Sequence, residues 1–373
     1  MKGLKKLLKK IIPASYSKID SSNANLIELI GEMYKQNCII INELAQIKNE
    51  SKAARLELKN EIKLLQKKQE LEFYALYRKT EESDLDMKKR FFCSIPDATG
   101  GLRLIQKANA LLLHEFDKFC KQHNLQYFFA GGNLIGSVRT QKSIPWDDDV
   151  DVIMLRSDID KLIKLTKTHT QFRNTVLFDY EWKCKQIRLY FKDERIPVFL
   201  DVFIYDVYQG TYTDNPESYN HIEMTKFFET SDLPEVKYWR EHPYLYDNDV
   251  YFPKIDAIFD NFSMQKEAIT QNYEKYPIKT LIRSCYNING YPHHRFYDWN
   301  KIFPTRKVLF EGYEFEAPND YMYFLDDNYG DIFSFPKDIF THIEHISHEY
   351  LESTEFKNLM HELFNTYGID NEQ

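Results

Sequence analysis

The chain has 373 residues, enough for one sizeable catalytic domain plus an appendage, and its 43% hydrophobic and 28% charged composition is ordinary for a globular protein. A formal net charge of −8 argues against a nucleic-acid-binding surface, and no run approaches the ~18 consecutive apolar residues that span a bilayer. The five cysteines, Cys38, Cys93, Cys120, Cys184 and Cys285, are scattered, odd in number and form no C-x-x-C, and no signal-peptide core is recognisable. Together these predict a reducing, cytoplasmic setting without a disulfide framework.

From Met1 to Ile12, Leu4, Leu7, Leu8, Ile11 and Ile12 recur at helical spacing beside five lysines and no acidic residue, and Pro13 ends the pattern. Residues 1–13 are therefore expected to form a basic amphipathic segment. Lys2 to Ile12 would lie on an anionic membrane surface, making the protein peripheral on the inner face of the cytoplasmic membrane. The competing reading is a solvated terminus, because short isolated helices are marginal in water.

Residues 22–92 read as one long helix. Ile30, Met33, Ile40, Leu44, Ile47, Ala54, Leu58, Ile62 and Leu65 approach a 3-4 repeat interrupted by Asn37 and Ser51. This predicts a coiled coil, with homo-oligomerisation through residues 25–90; a single helix packed back on the catalytic domain is the alternative. Ile95-Pro96 and Gly100-Gly101 punctuate the pattern and place the start of a catalytic domain, residues 96–370, near here.

The catalytic domain is expected to run helix, strand, turn, strand, helix. Leu104 to His123 carries a wide apolar stripe, and Tyr127 to Ala130 is a short buried strand ending at a glycine corner, Gly131-Gly132. Val150 to Met154 is a second strand, with Ser157 and Asp160 resembling a capping box for the next helix. Gln186 to Phe191 and Val198 to Tyr205 are two further strands. The fold class is thus α+β: a mixed sheet with flanking helices behind a long N-terminal helix.

The chemistry concentrates in Ile144-Pro145-Trp146-Asp147-Asp148-Asp149-Val150-Asp151-Val152, where four carboxylates occupy five positions between apolar flanks. Such charge density is costly without a cation. On a strand, Asp147, Asp149 and Asp151 would share one face and Asp148 the other. Hard oxygen ligands point to Mg²⁺ or Mn²⁺ holding a nucleotide phosphate, with Asp147 as an outer ligand. Asp201, in the apolar run Phe199 to Ile204, is the candidate third carboxylate and proton acceptor. Gly131 and Gly132 would let backbone approach donor phosphates, with Arg139 as a bidentate phosphate clamp and Arg188 as a second phosphate candidate. His342, His345 and His348 recur at three-residue intervals, but helical rotation would spread them over about 120°, a poor zinc site.

The residues from about Leu104 to Asp206 resemble the LicD family, whose animal relatives include fukutin and the fukutin-related protein. Phe116-Asp117 and Cys120, the run Gly131 to Arg139, the run Ile144 to Asp151, and Asp201-Val202-Phe203 carry the resemblance, with Phe310-Glu311-Gly312 and Tyr329-Gly330-Asp331 following. The resemblance implies a nucleotidyltransferase-like fold. It also implies transfer of a phospho-alcohol, of phosphocholine, phosphoglycerol or phosphoribitol type, from a CDP-linked donor to a hydroxyl of a cell-surface glycan or its precursor. The chain departs from the family at Thr140-Gln141-Lys142-Ser143, where a His-Gly-Gly type turn is usual. A D-x-D glycosyltransferase, an NTP-consuming nucleotidyltransferase and a non-catalytic coiled-coil scaffold remain the other readings.

Overall fold

The computed structural model describes residues 74–209, 221–264, 275–284, 286, 296–334 and 346–369, with isolated positions between 32 and 72. The amphipathic segment 1–13, most of the expected coiled coil, His342 and His345 lie outside the described residues. The chain divides into one unit of Met1–Thr99 with Phe333–Thr341 and a second of Gly100–Ile332 with His342–Gln373. In the first, helix α1 (Asp84–Ser94) is capped by Ser83, whose side chain accepts from the Asp86 amide, and Arg90 forks onto Glu82. No described helix is long and apolar enough to cross a membrane.

The second unit is a mixed α+β structure. Helix α2 (Gly100–His123) leads to β1 (Tyr127–Phe129), α3 (Gly131–Arg139), β2 (Asp151–Leu155), α4 (Arg156–Thr166), β3 (Phe172–Asp179), β4 (Cys184–Phe191) and β5 (Phe199–Gln209). Helices α5 (His221–Thr230) and α6 (Pro234–Glu241), strand β6 (Tyr244–Tyr246), helix α7 (Phe252–Met264), strands β7 (Lys279–Arg283) and β8 (Phe296–Asp298) and helix α8 (Trp299–Ile302) follow. A hairpin of β9 (Arg306–Phe310) and β10 (Tyr313–Ala317), then α9 (Tyr321–Tyr329), α10 (His348–Leu351) and α11 (Thr354–Thr366), complete it.

The large sheet has the order β1-β2-β5-β4-β3-β6, with β7 joining β5 and β8 joining β7. Among the described residues, β2 and β5 run parallel and the other strand pairs of this sheet are antiparallel. The central strands β2, β4 and β5 bury Val152, Leu189, Leu200 and Val202 completely. Each such side chain contributes about 1.5–3 kcal/mol on leaving water. Leu112, Leu113 and Phe116 of α2 are likewise fully buried, so the helix and the sheet share one core.

Two local expectations need correction. The glycine corner does not turn directly into another strand but opens the nine-residue helix α3. Gly131 alone takes a left-handed conformation (φ +56°), after which Asn133-Leu134-Ile135 and Val138 sustain helix. Ser157 is not a cap either: α4 begins at Arg156, Leu155 occupies the N-cap position, and no side chain caps it. The strand β2 ends where the helix starts, leaving no loop residue to serve as cap.

Candidate metal and nucleotide site

Parallel register between β2 and β5 sets Asp151 opposite Asp201, and the antiparallel β4 sets Arg188 on the other side of Asp201. Period-2 alternation then keeps Asp151, Asp201 and Arg188 on one sheet face. Asp147 to Val150 are not strand but an ordered approach to it, with the Asp147 amide bonded to the Ile144 carbonyl at 2.9 Å. The approach nonetheless brings Asp149 to the row. Ligand oxygens of Asp149, Asp151 and Asp201 lie within 4.8 Å of one another, Asp201 buried and the other two half-buried. Among the described residues this is the group of acidic, histidine or cysteine side chains placed to share a metal ion.

The donor set is all oxygen and all carboxylate, which fits a hard divalent cation. Electrostatics agree. Burial, followed by the charges of Asp149, Asp201 and Asp147, pushes the Asp151 carboxyl well above the usual carboxylate range. Burial, with the neighbouring Asp149 and Asp148, does the same to Asp147. The cluster is therefore crowded with like charge that a divalent cation would relieve. Arg188 offsets part of it: its Nε donates to Asp201 Oδ1 at 3.0 Å while its guanidinium lies over the Phe199 ring at 4.4 Å.

The two glycines are required by contact with these acids. A Cβ on Gly131 would stand 1.9 Å from Asp151 Oδ2, and one on Gly132 would stand 1.8 Å from Asp147 Oδ2. Backbone and carboxylates thus occupy space that no side chain can share. Arg139 lies at the opposite end of α3, about 12 Å along the axis from Gly131, and its guanidinium donates to the Ile332 carbonyl. Of the two arginines expected near phosphate, Arg188 is the one that the fold sets in the acidic row.

Several positioning residues went unnoticed in the sequence. Asn133 grips the Asp151 backbone from both sides: its Nδ2 donates to the Asp151 carbonyl at 3.0 Å and its Oδ1 accepts from the Asp151 amide at 2.9 Å. Gln106 donates to the carbonyls of Ile144 and Asp147, and Asn109 donates to that of Asp148. Both lie on the buried face of α2, where polar side chains at i and i+3 in an apolar stripe were the available signal. Replacing Gln106 with Leu removes the buried hydrogen bonds to the Ile144 and Asp147 carbonyls. The expected result is a loss of about 1–3 kcal/mol in a denaturant titration, with weakened Mn²⁺ binding.

The family-like Phe310-Glu311-Gly312 has a concrete task. Glu311 (φ +48°) and Gly312 (φ +83°) form the two-residue turn of the β9–β10 hairpin, a turn whose twist matches that of its strands. The Glu311 carboxylate takes a bidentate contact from Arg103, both bonds at 2.7 Å, and accepts from the Ser143 amide at 2.8 Å. It ties the loop before the acidic run to α2. Burial opposes its ionisation, but Arg103 and Ser143 outweigh burial and hold the Glu311 carboxyl below the usual value of 4.5. A carboxyl with a depressed folded-state pKa contributes stability above its unfolded pKa, and that contribution is lost as pH falls through the folded value. Acid unfolding below pH about 4.5 should therefore be less steep in Glu311→Gln than in the wild type, as circular dichroism against pH would show.

An all-carboxylate group that could hold a metal ion thus lies on a mixed sheet beside a glycine-opened helix. Residues 124–238 match the family model LicD/FKTN/FKRP, nucleotidyltransferase domain. The chain is similar to the lipopolysaccharide cholinephosphotransferase LicD of Haemophilus influenzae, with 25% identity over 259 residues, 64% of this chain and 94% of the relative. It is also similar to the uncharacterized protein RP689 of Rickettsia prowazekii, with 27% identity over 141 residues, 38% of this chain and 42% of the relative.

Proposed function

We propose that the protein is a metal-dependent phosphotransferase that moves a phospho-alcohol from a CDP-linked donor to a hydroxyl of a cell-surface glycan or its precursor. The observation that carries this reading is the convergence of Asp149, Asp151 and Asp201 within 4.8 Å, on the segment that matches the family model. The similarity to a lipopolysaccharide cholinephosphotransferase supports a donor carrying a phospho-alcohol. In the reaction, the acceptor oxygen bonds to the phosphorus that carries the alcohol, the bond from that phosphorus to the bridging oxygen breaks, and CMP leaves.

Asp149, Asp151 and Asp201 are the proposed holders of Mg²⁺ or Mn²⁺, with Asp147 adjacent. When bound, such an ion neutralises charge building on the transferred phosphoryl group. The remaining work belongs to the chain. Gly131 and Gly132 allow main chain close to the donor phosphates, Arg188 supplies positive charge beside Asp201, and Asp201 is the proposed acceptor of the hydroxyl proton. Arg139 would serve as a clamp only by leaving the Ile332 carbonyl. Membrane attachment through Lys2 to Ile12 and self-association through residues 25–90 remain part of the proposal and rest on sequence pattern.

Thermal stability of the protein and of Asp149→Ala against CDP, CTP, UDP and GDP, with and without Mn²⁺, tests the reading. Ligand at 100 times its Kd stabilises by about 2.7 kcal/mol. A shift with CDP only when metal is present, absent in the variant, is expected. A metal-dependent shift with UDP or GDP instead would favour a glycosyltransferase.

A further inference from the structure

A small cavity of about 100 Å³ adjoins Asp151 on the sheet face that carries the acidic row, and Arg283 of β7 lines it. Arg283 is only 7% exposed, pairs in register with Tyr205 and donates from Nε to the Tyr205 hydroxyl at 3.4 Å. Tyr205 stands four residues beyond Asp201 on the same face of β5, about 13 Å along the strand. Phe203, Tyr205 and Phe324 supply aromatic walls, and Asn328 adds a carboxamide. On the proposed reading a donor diphosphate belongs with the metal at the carboxylate cluster, so a group reaching Arg283 would be a different part of the same molecule.

We infer that this cavity takes the pyrimidine base of the donor, and that Arg283 is a specificity-determining residue that reads the base edge. The inference rests on the CDP-linked donor proposed above. A cavity of this size holds about three waters' worth of space, enough for one small planar ring and too little for a whole nucleotide. Aromatic walls suit the faces of a ring. A buried guanidinium is a planar fork of donors with no acceptor. Cytosine presents two adjacent acceptors, O2 and N3, that match two parallel N–H bonds of such a fork. Uracil carries a hydrogen on N3, which sets donor against donor and leaves one arginine N–H unsatisfied. The same cation disfavours a quaternary ammonium group in this cavity, although aromatic walls alone would welcome one.

The test is isothermal titration with Mn²⁺ and three probes, CDP, UDP and inorganic pyrophosphate, on the wild type, Arg283→Lys and Arg283→Gln. The wild type should bind CDP roughly tenfold or more tighter than UDP, the scale of one good bidentate contact. Either variant should lose most of that preference while binding pyrophosphate as the wild type does. Unchanged pyrophosphate binding also shows that the variant is folded. If both variants fail to fold, the wild-type preference decides alone, and equal affinity for CDP and UDP overturns the inference. A variant that loses CDP and pyrophosphate affinity equally shows that Arg283 binds phosphate, and one that changes neither shows that the base lies elsewhere; each overturns the inference and leaves the proposed reaction standing. Failure of the wild type to bind either nucleotide with Mn²⁺ overturns both.

Discussion

Asp151→Asn should abolish metal-dependent transfer while making the metal-free protein more stable. Asp151 is held at the start of β2 by Asn133 and faces Asp201 across parallel strands, so the variant keeps its backbone contacts and loses a negative charge. Burial and the charges of Asp149, Asp201 and Asp147 raise its carboxyl pKa, which means that ionising it works against the fold. The linkage has a definite sign. A carboxyl whose folded-state pKa exceeds its unfolded value near 3.8 costs stability as pH rises above that unfolded value. Metal-free wild type should therefore lose stability between weakly acidic and neutral pH, and the asparagine variant should lose less. At pH 7 the variant should gain about 0.5–2 kcal/mol. Its activity should fall about 10³-fold or more, since a proposed ligand to the ion that would stabilise the transferred group is gone. Scanning calorimetry and an activity assay on one preparation would check both. Reduced stability together with reduced activity would mean that the acidic row is structural.

Gly131→Ala should damage the fold and the site together. The new methyl group would meet the whole Asp151 carboxyl, with Oδ2 at 1.9 Å, Cγ at 2.9 Å and Cβ at 3.1 Å. The backbone there is also left-handed at φ +56°, which any residue with a Cβ resists. Together these should cost about 2–4 kcal/mol and remove Mn²⁺ binding. Gly132→Ala makes a different prediction, because its nearest atom is the carboxylate oxygen of Asp147, which is not one of the three clustered ligands. That variant should keep Mn²⁺ binding and weaken it. Equal loss in the two variants would place Asp147 among the ligands rather than beside them.

The acidic site was legible in the sequence because its costs are local. Four carboxylates in five positions beside Val150, Val152 and Ile153, and one more inside Phe199 to Ile204, are costly as mere structure. Strand alternation predicted a shared face for Asp147, Asp149 and Asp151, but Asp147 to Val150 are not strand, and it is the register of β2 against β5 that sets Asp151 opposite Asp201. What pattern could not supply was how the chain travels between motifs. Gly131-Gly132 suggests a corner, yet whether a strand or a helix follows depends on what α3 packs against. Arg139 was the expected phosphate clamp and Arg188 the weaker, second candidate, yet topology sets Arg188 across from Asp201 and Arg139 at the far end of a helix. Gln106, Asn109 and Glu311 act across 38 residues or more of sequence, and long-range pairing leaves no periodic trace.

The product that leaves the donor tests the central claim most directly. The purified protein would be incubated with Mn²⁺, a glycan acceptor and, separately, CDP-choline, CDP-glycerol and CDP-ribitol, and the released nucleotide identified by chromatography. Acceptor-dependent release of CMP from at least one of the three, lost in Asp149→Ala, is the predicted result. No CMP from any of the three, with release of a nucleoside diphosphate when a nucleotide sugar takes their place, would contradict it.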